Sequence, residues 1–521
     1  MTSGRERSSY GWRLSWAVIL AVSALGIRAG ENTGCPADGA ARGGADARTW
    51  ADRAQGAAAS GSSACVAKGV LLADFLDRSV TSACHGVRRA SQRAERDEDV
   101  DLLALEAALA WRCGWPRQAD AAARAALVRD ERAAVAWSVL GALLEARLRE
   151  QAAKTAYSRA LEVDPEDTAA LWGLTHLETD RPQRMRWLER FIAAADTRGE
   201  PFERRRAARE TIAFLEALGD REVWKLARAE LPASLELEPW VERAGSIKGW
   251  LLRCRLGERK RVPALLDSGA SGLHLDPRLA RKAAMESLSE GTLFGGGGSK
   301  RHAVERGIIP LLDFGPLAFE DALGVAAAGS LHRRGLYRAI VGLDLFGGLR
   351  LEFDARGSSV WLEEAEPADD GGEPLDVEIW PRGEELIPLF RVEGQLLIPI
   401  EIHDDATRLE LLALLDTGAA STFVDLSVAE QQASFRRGGQ RQASAYGGAR
   451  ELAGTVGSLD VVIGAVRETL RDVLVIDLAE RARVAGVRVQ AFVGMDLLGR
   501  RGIAIDLASG YVQIERERQR R

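Results

Sequence analysis

The chain is poor in the residues from which most metal, redox and nucleophilic sites are assembled. Its six histidines show neither an HExxH pair nor a related spacing, so metal catalysis finds no support. The five cysteines, Cys35, Cys65, Cys84, Cys113 and Cys254, include no CxxC pair, which argues against a zinc knuckle or a dithiol redox motif. No G-x-S-x-G elbow accompanies a Ser/His/Asp set, and no catalytic Cys/His pairing suggests itself. An excess of one charge is also missing. A net charge of −6 gives no reason to expect a nucleic-acid partner. Beyond the N-terminus no run approaches about 18 apolar residues, so that remainder is expected to be soluble.

What is present is an ordinary globular composition, 46% hydrophobic and 28% charged. The 521 residues are too many for one core and suit about three domains. Arg5, Arg7 and Arg13 flank an apolar run from Leu14 to Ile27. That run has the length of a signal h-region and is short for a membrane span. Arg28 spoils the small-residue cleavage site, which leaves an uncleaved anchor as the alternative; a lipid anchor on Cys35 has Asn32 against it. In an exported protein Cys65 and Cys84 can pair; isolated buried thiols are the competing expectation. An Ala/Gly/Ser-rich stretch follows and reads as a linker.

From residue 99 to 230 the pattern is helical. Within it Trp137, Leu140, Gly141, Leu144, Ala153, Tyr157, Ala160 and Pro165 stand at tetratricopeptide spacing. A shift of about 34 residues either way finds weaker copies, with Leu103, Ala107, Ala119 and Ala126 upstream and Leu171, Leu174, Phe191 and Ala194 downstream. Three units and a capping helix pair near Arg204–Glu230 make a stable solenoid. Such an array binds a peptide or protein partner on its concave face, or serves as a spacer.

Past Leu231 short apolar alternations between Gly, Asp and Pro replace the helical period. Two stretches are nearly the same words: "ALLDSGASG" from Ala264 and "ALLDTGAAST" from Ala413. Each is preceded by a β-hairpin pattern, and each is answered downstream by "AIVGLDLF" (Ala339) or "AFVGMDLL" (Ala491). Gly342 follows Asp267 by 75 residues (342 − 267), and Gly494 follows Asp416 by 78 (494 − 416). Two such constellations at matched spacing are an internal duplication.

These motifs resemble the retropepsin-like aspartic proteases, particularly the bacterial exported branch, once in each half. The resemblance covers roughly Leu235 to Glu515. It implies Asp267 and Asp416 as a catalytic pair, with Ser268, Gly269, Thr417 and Gly418 supporting the two loops. It implies Gly342 and Gly494 as the glycines of the strands that interlock beneath the site. It places flaps at Phe294–Gly307 and Ala445–Gly457, the second carrying Tyr446.

The chemistry explains the need for two halves. Hydrolysis without a metal or a nucleophile requires a base for water and an acid for the carbonyl oxygen or leaving amine. Two carboxylates about 3 Å apart share one proton and supply both. Neither a cofactor nor a metal is called for. The partners expected are a polypeptide substrate and a protein on the repeats; no nucleic acid is expected, and the membrane enters only through the N-terminal segment. Asp344 and Asp496 read as helix N-caps. "GGGGSK" lacks the order of a phosphate loop.

The expected architecture is multidomain. A signal peptide or N-terminal anchor spans 1–30, a linker 31–98 and an all-α TPR-like solenoid 99–230. Two all-β retropepsin-like acid-protease domains, 235–362 and 377–516, flank an acidic linker at 363–376 and form one pseudo-twofold bilobal unit. The alternatives are an exported scaffold with degenerate lobes, and a dimer in which each lobe pairs with its twin.

Overall fold

The computed structural model describes residues 100–198, 202–241, 246–258, 260–294, 301–327, 336–354, 357–368, 371–381, 385–404, 407–438, 442–445, 448–479 and 486–515. The signal or anchor, the linker and the Cys65–Cys84 pairing lie outside these residues. Cys113 is half of a disulfide, and Cys254 is a free, fully buried thiol.

A helical region precedes a large β region. The described residues fall into two compact units. One holds residues up to Ala142 and Lys154–Ala208, and the other holds Leu143–Ala153 and Arg209 onward. Among the described residues, helices α1 (Val100–Arg112), α2 (Pro116–Arg129), α3 (Ala134–Ala146), α4 (Glu150–Val163), α5 (Thr168–Leu177), α6 (Arg181–Arg198) and α7 (Phe202–Leu218) come before the first strand. None is long and apolar enough to cross a membrane.

Local chemistry sets these helices. Pro116 occupies the first turn of α2, where its missing N–H costs nothing. The Asp167 side chain caps α5 by accepting from Ala170 N at 2.9 Å. Tyr157 is 2% exposed and lies in a slot between two glycines. A Cβ on Gly141 would stand 2.6 Å from its ring, and one on Gly173 2.2 Å. Any larger residue at either position would push the tyrosine out. Most of the repeat-spaced apolar positions, including Trp137, Leu140, Ala153 and Ala160, are buried.

One expectation of helix fails. Gly219, at φ +56°, ends α7, and Lys225–Ala229 is a strand instead of the second helix of a capping pair. The run "KLARA" has helical propensity, but it pairs antiparallel with Leu317–Ala327. Trp224 beside it meets Phe319 edge-on at 5.7 Å. Tertiary pairing here outweighs a propensity difference of a few tenths of a kcal/mol per residue.

Among the described residues the β region comprises a 14-stranded sheet, an 8-stranded sheet and a two-stranded hairpin. The same wiring occurs in both halves of the duplication. In the first, the strand Val262–Asp267 runs antiparallel to Ile247–Leu256 and parallel to Ala339–Gly342. Leu273–Leu275 then pairs antiparallel with Ala339–Gly342 and parallel with Leu317–Ala327. In the second, Thr407–Leu415 runs antiparallel to Gln395–Asp404 and parallel to Ala491–Val493. Phe423–Asp425 repeats the crossed pairing with Ala491–Val493 and Val466–Ile476. The halves join through Leu349–Phe353, which pairs antiparallel with Ile503–Asp506.

The apolar face of this wiring forms one core that includes Leu266, Val341, Leu415 and Val493. Each is fully buried, and burying such a side chain contributes about 1.5–3 kcal/mol. Arg147 is also buried completely within the second unit. Its guanidinium donates to the carbonyls of Ile379, Leu389 and Gly510 and lies against the rings of Phe390 and Tyr511. Burial pushes it down to about 9, with the neighbouring Arg149 adding to the shift.

Candidate active site

The strands Val262–Asp267 and Thr407–Leu415 end beside each other, and the duplicated turns follow. Asp267 takes the N–H of Gly269 on Oδ1 at 2.8 Å, and Asp416 takes that of Gly418 at 3.0 Å. The turns are bolted together by their hydroxyl residues, both buried. Ser268 N donates to Thr417 Oγ1 at 3.0 Å, and Thr417 N donates to Ser268 Oγ at 2.9 Å. Each hydroxyl then donates across to the other half, Ser268 Oγ to Leu415 O at 2.6 Å and Thr417 Oγ1 to Leu266 O at 2.9 Å.

This lock brings the carboxyl groups of Asp267 and Asp416 together, and a hydrogen bond links them. Both keep an accessible edge. The two glycines make the approach possible. A Cβ on Gly269 would stand 2.9 Å from Asp416 Cγ, and one on Gly418 2.4 Å from Asp267 Oδ2. Burial is the largest influence on Asp267, and the charge of Asp416 reinforces it. Together they push the Asp267 carboxyl up to about 8, against the opposing N–H groups of Gly269 and Ala270. Two carboxyls so placed hold one proton between them over a wide pH range.

Gly342 and Gly494 lie directly under the turns. A Cβ on Gly342 would stand 2.7 Å from Ala270 O, and one on Gly494 2.5 Å from Ser421 C. Asp344 and Asp496 are not helix N-caps. The caps of the short helical turns after these strands are Gly342 and Gly494, without a side-chain bond. The carboxylate of Asp344 instead accepts from Gly272 N at 2.8 Å and Ser271 Oγ at 2.7 Å. That of Asp496 accepts from Thr422 N at 2.9 Å and Thr422 Oγ1 at 2.7 Å. Each holds the far end of the turn that begins at the aspartate. Burial raises Asp344 from its ordinary value, with these two donors acting the other way.

Hairpins stand at both expected flap positions. Glu286–Phe294 pairs with Arg301–Asp313, and Gln442–Ala445 with Gly448–Glu451. The tip glycines of the first, and Tyr446, lie outside the described residues. Among the described residues no three or more His, Cys, Asp or Glu side chains are grouped as metal ligands.

Two further contributors carry no local sequence signal. Gly394, at φ +76°, presses on the first turn so closely that a Cβ there would stand 2.2 Å from Ser271 Oγ. Its neighbour Gln395 donates from Nε2 to Gly269 O at 3.1 Å. Both precede the second aspartate in the chain yet serve the loop of the first.

No family model matches the chain, and no curated protein matches it. A weak structural likeness links it to the aspartic proteinase from Irpex lacteus, at a TM-score of 0.35 and 11% identity, over 55% of this chain and 97% of that one.

Proposed function

We propose that the chain is an aspartic endopeptidase in which Asp267 and Asp416 form one catalytic pair. Its two retropepsin-like domains act as the lobes of a pseudo-twofold site, and a TPR-like helical array precedes them in the sequence. The observation that carries the reading is the mutual placement of the carboxyls by the reciprocal Ser268–Thr417 lock. The ionised carboxylate takes a proton from a water between the two groups, and the hydroxide attacks the scissile carbonyl carbon. The protonated partner gives its proton to the carbonyl oxygen. Collapse of the tetrahedral diol returns a proton to the leaving amine, and the pair is restored with one proton. Substrates are extended polypeptides held by backbone hydrogen bonds. The helical array recruits or orients them.

Arg5, Arg7, Arg13 and the Leu14–Ile27 run support an exported protein of the periplasm or envelope. The site draws on no metal or cofactor, since its acid, base and nucleophilic water are complete with two carboxyls.

The test is digestion of a mixed peptide library from acid to neutral pH by the full chain and its Asp267→Asn and Asp416→Asn variants. Loss of cleavage in both variants supports a single shared pair. Activity surviving in Asp267→Asn shows that the second domain works with its own twin. A wild-type chain that cuts nothing but retains peptides points to a binding scaffold.

A further inference from the structure

The two halves differ in the row of side chains that leads away from each aspartate. In the first half Trp250 faces Leu266, so the ladder places Gly249 opposite Asp267, and Trp240 pairs with Gly249 on the next strand. In the second Leu397 faces Leu414, which places Gln395 opposite Asp416, and Val392 pairs with Gln395. Directly opposed residues of neighbouring strands share a face of the sheet. The rows therefore read Asp267–Gly249–Trp240 and Asp416–Gln395–Val392. One holds a glycine and an indole where the other holds an amide and an isopropyl group.

Gly249 leaves room for the indole. A Cβ there would stand 3.4 Å from Trp240 Cε3 and 3.0 Å from Leu265 Cδ1, so the ring leans over the glycine toward Leu265. Neighbouring strands lie about 4.8 Å apart, which roots Trp240 about 10 Å from Asp267 on the same face. On that face Leu251, Leu265 and Ile340 stand side by side on three strands, almost fully buried. Against them pack the half-buried Trp240, Tyr337 and Ala270, the last in the turn that follows Asp267. An aliphatic floor with two aromatic rims thus adjoins the first carboxyl. The second half has a comparable floor of Leu397, Leu414 and Phe492. There Gln395 fills the place that glycine leaves open and donates to Gly269 O, and Val392 brings no ring.

Resting on the proposed protease reading, we infer that Trp240 is a specificity-determining residue. It makes the chain select polypeptides with an aromatic side chain on one side of the cleaved bond only. The substrate ring lies on the Leu265–Ile340 floor and meets Trp240 and Tyr337 edge-on or in offset stacking. Such ring pairs are worth more than their buried area alone. The second half has no ring at the position matching Trp240 and makes no such selection.

The test is kcat/KM for paired peptides that carry Phe or Ala at each of the two positions flanking the cleaved bond. The full chain is compared with Trp240→Val, which copies Val392, and Trp240→Leu serves if the valine variant does not fold. In the wild type the Phe/Ala ratio should be high at one flanking position and near one at the other. The substitution should lower the high ratio at least about tenfold and leave the other unmoved. A ratio that survives the substitution, or an equal preference at both positions in the wild type, overturns the inference. A wild-type chain that cleaves none of the peptides overturns the protease reading. The same peptides titrated into that chain then decide the role of Trp240: its replacement should weaken the Phe peptide about tenfold relative to its Ala counterpart, and equal binding or none overturns the inference.

Discussion

Ser268 and Thr417 each donate a backbone N–H to the other's side-chain oxygen, at 3.0 and 2.9 Å, across 149 residues of chain. Each hydroxyl also donates to a carbonyl of the opposite half. Four bonds made by two short side chains thus fix where two strands end. The same four bonds set the carboxyls of Asp267 and Asp416 against each other.

Removing either hydroxyl therefore leaves a buried N–H and a buried carbonyl unsatisfied. Ser268→Ala or Thr417→Val should destabilise the fold by about 2–4 kcal/mol, read from urea denaturation of the full chain. The double variant should cost less than the sum of the single ones, because both side chains belong to one network. Additive losses would show that the hydroxyls act separately.

Gly418→Ala directs a methyl group at Asp267 Oδ2, at 2.4 Å in the present backbone. The turn must move to admit it, and displacement of about 1 Å at a reacting group costs about 100-fold in rate. A peptide-cleavage assay should show a loss of at least that size in kcat. Wild-type turnover by this variant would mean that the close approach of the turns is not required.

The raised Asp267 carboxyl makes stability depend on pH. Its folded value of about 8 lies above the ordinary 3.8, so between these limits the native state holds more protons than the unfolded state. Stability then falls as pH rises through the window, and the loss is complete above about 8. Asp267→Asn removes this loss. Its Tm gain over the wild type should be larger at pH 8 than at pH 4, and a gain that is equal at both would contradict the assignment.

Arg147 is held by three backbone carbonyls and two aromatic rings. Arg147→Met fills similar space with no donor and takes the donor from the carbonyls of Ile379 and Leu389, while Gly510 O keeps the N–H of Leu389. A loss of about 3 kcal/mol or more is expected, measured by chemical denaturation, and Arg147→Lys should recover only part of it because one ammonium lacks the planar fork. Wild-type stability in the methionine variant would refute this account.

Much of the site can be read along the chain. The two triplets and the later glycines lie within repeated words, because local turn geometry demands glycine beside an aspartate wherever a strand ends this way. Helix positions followed the apolar period for the same local reason, down to Gly141 against Tyr157, whereas Gly173 on the other side of that ring shows only in the packing. The strand at Lys225–Ala229 was not legible, since its conformation comes from Leu317–Ala327 and not from its own residues. Read along the chain, Asp344 and Asp496 look like helix caps, which they are not. A carboxylate two residues past a glycine looks like a cap until the turn that it holds, some 72 residues earlier, is brought against it.

By itself the sequence determined the duplication, the paired aspartates and the order of helical before β structure, all written in periodicity and in short-range turn chemistry. Only the tertiary structure decided which atoms meet. Gln395 reaches Gly269 across 126 residues, and Arg147 reaches Gly510 across 363. Contacts of that separation follow from strand register and close packing summed over the whole core, and no local stretch of sequence contains them.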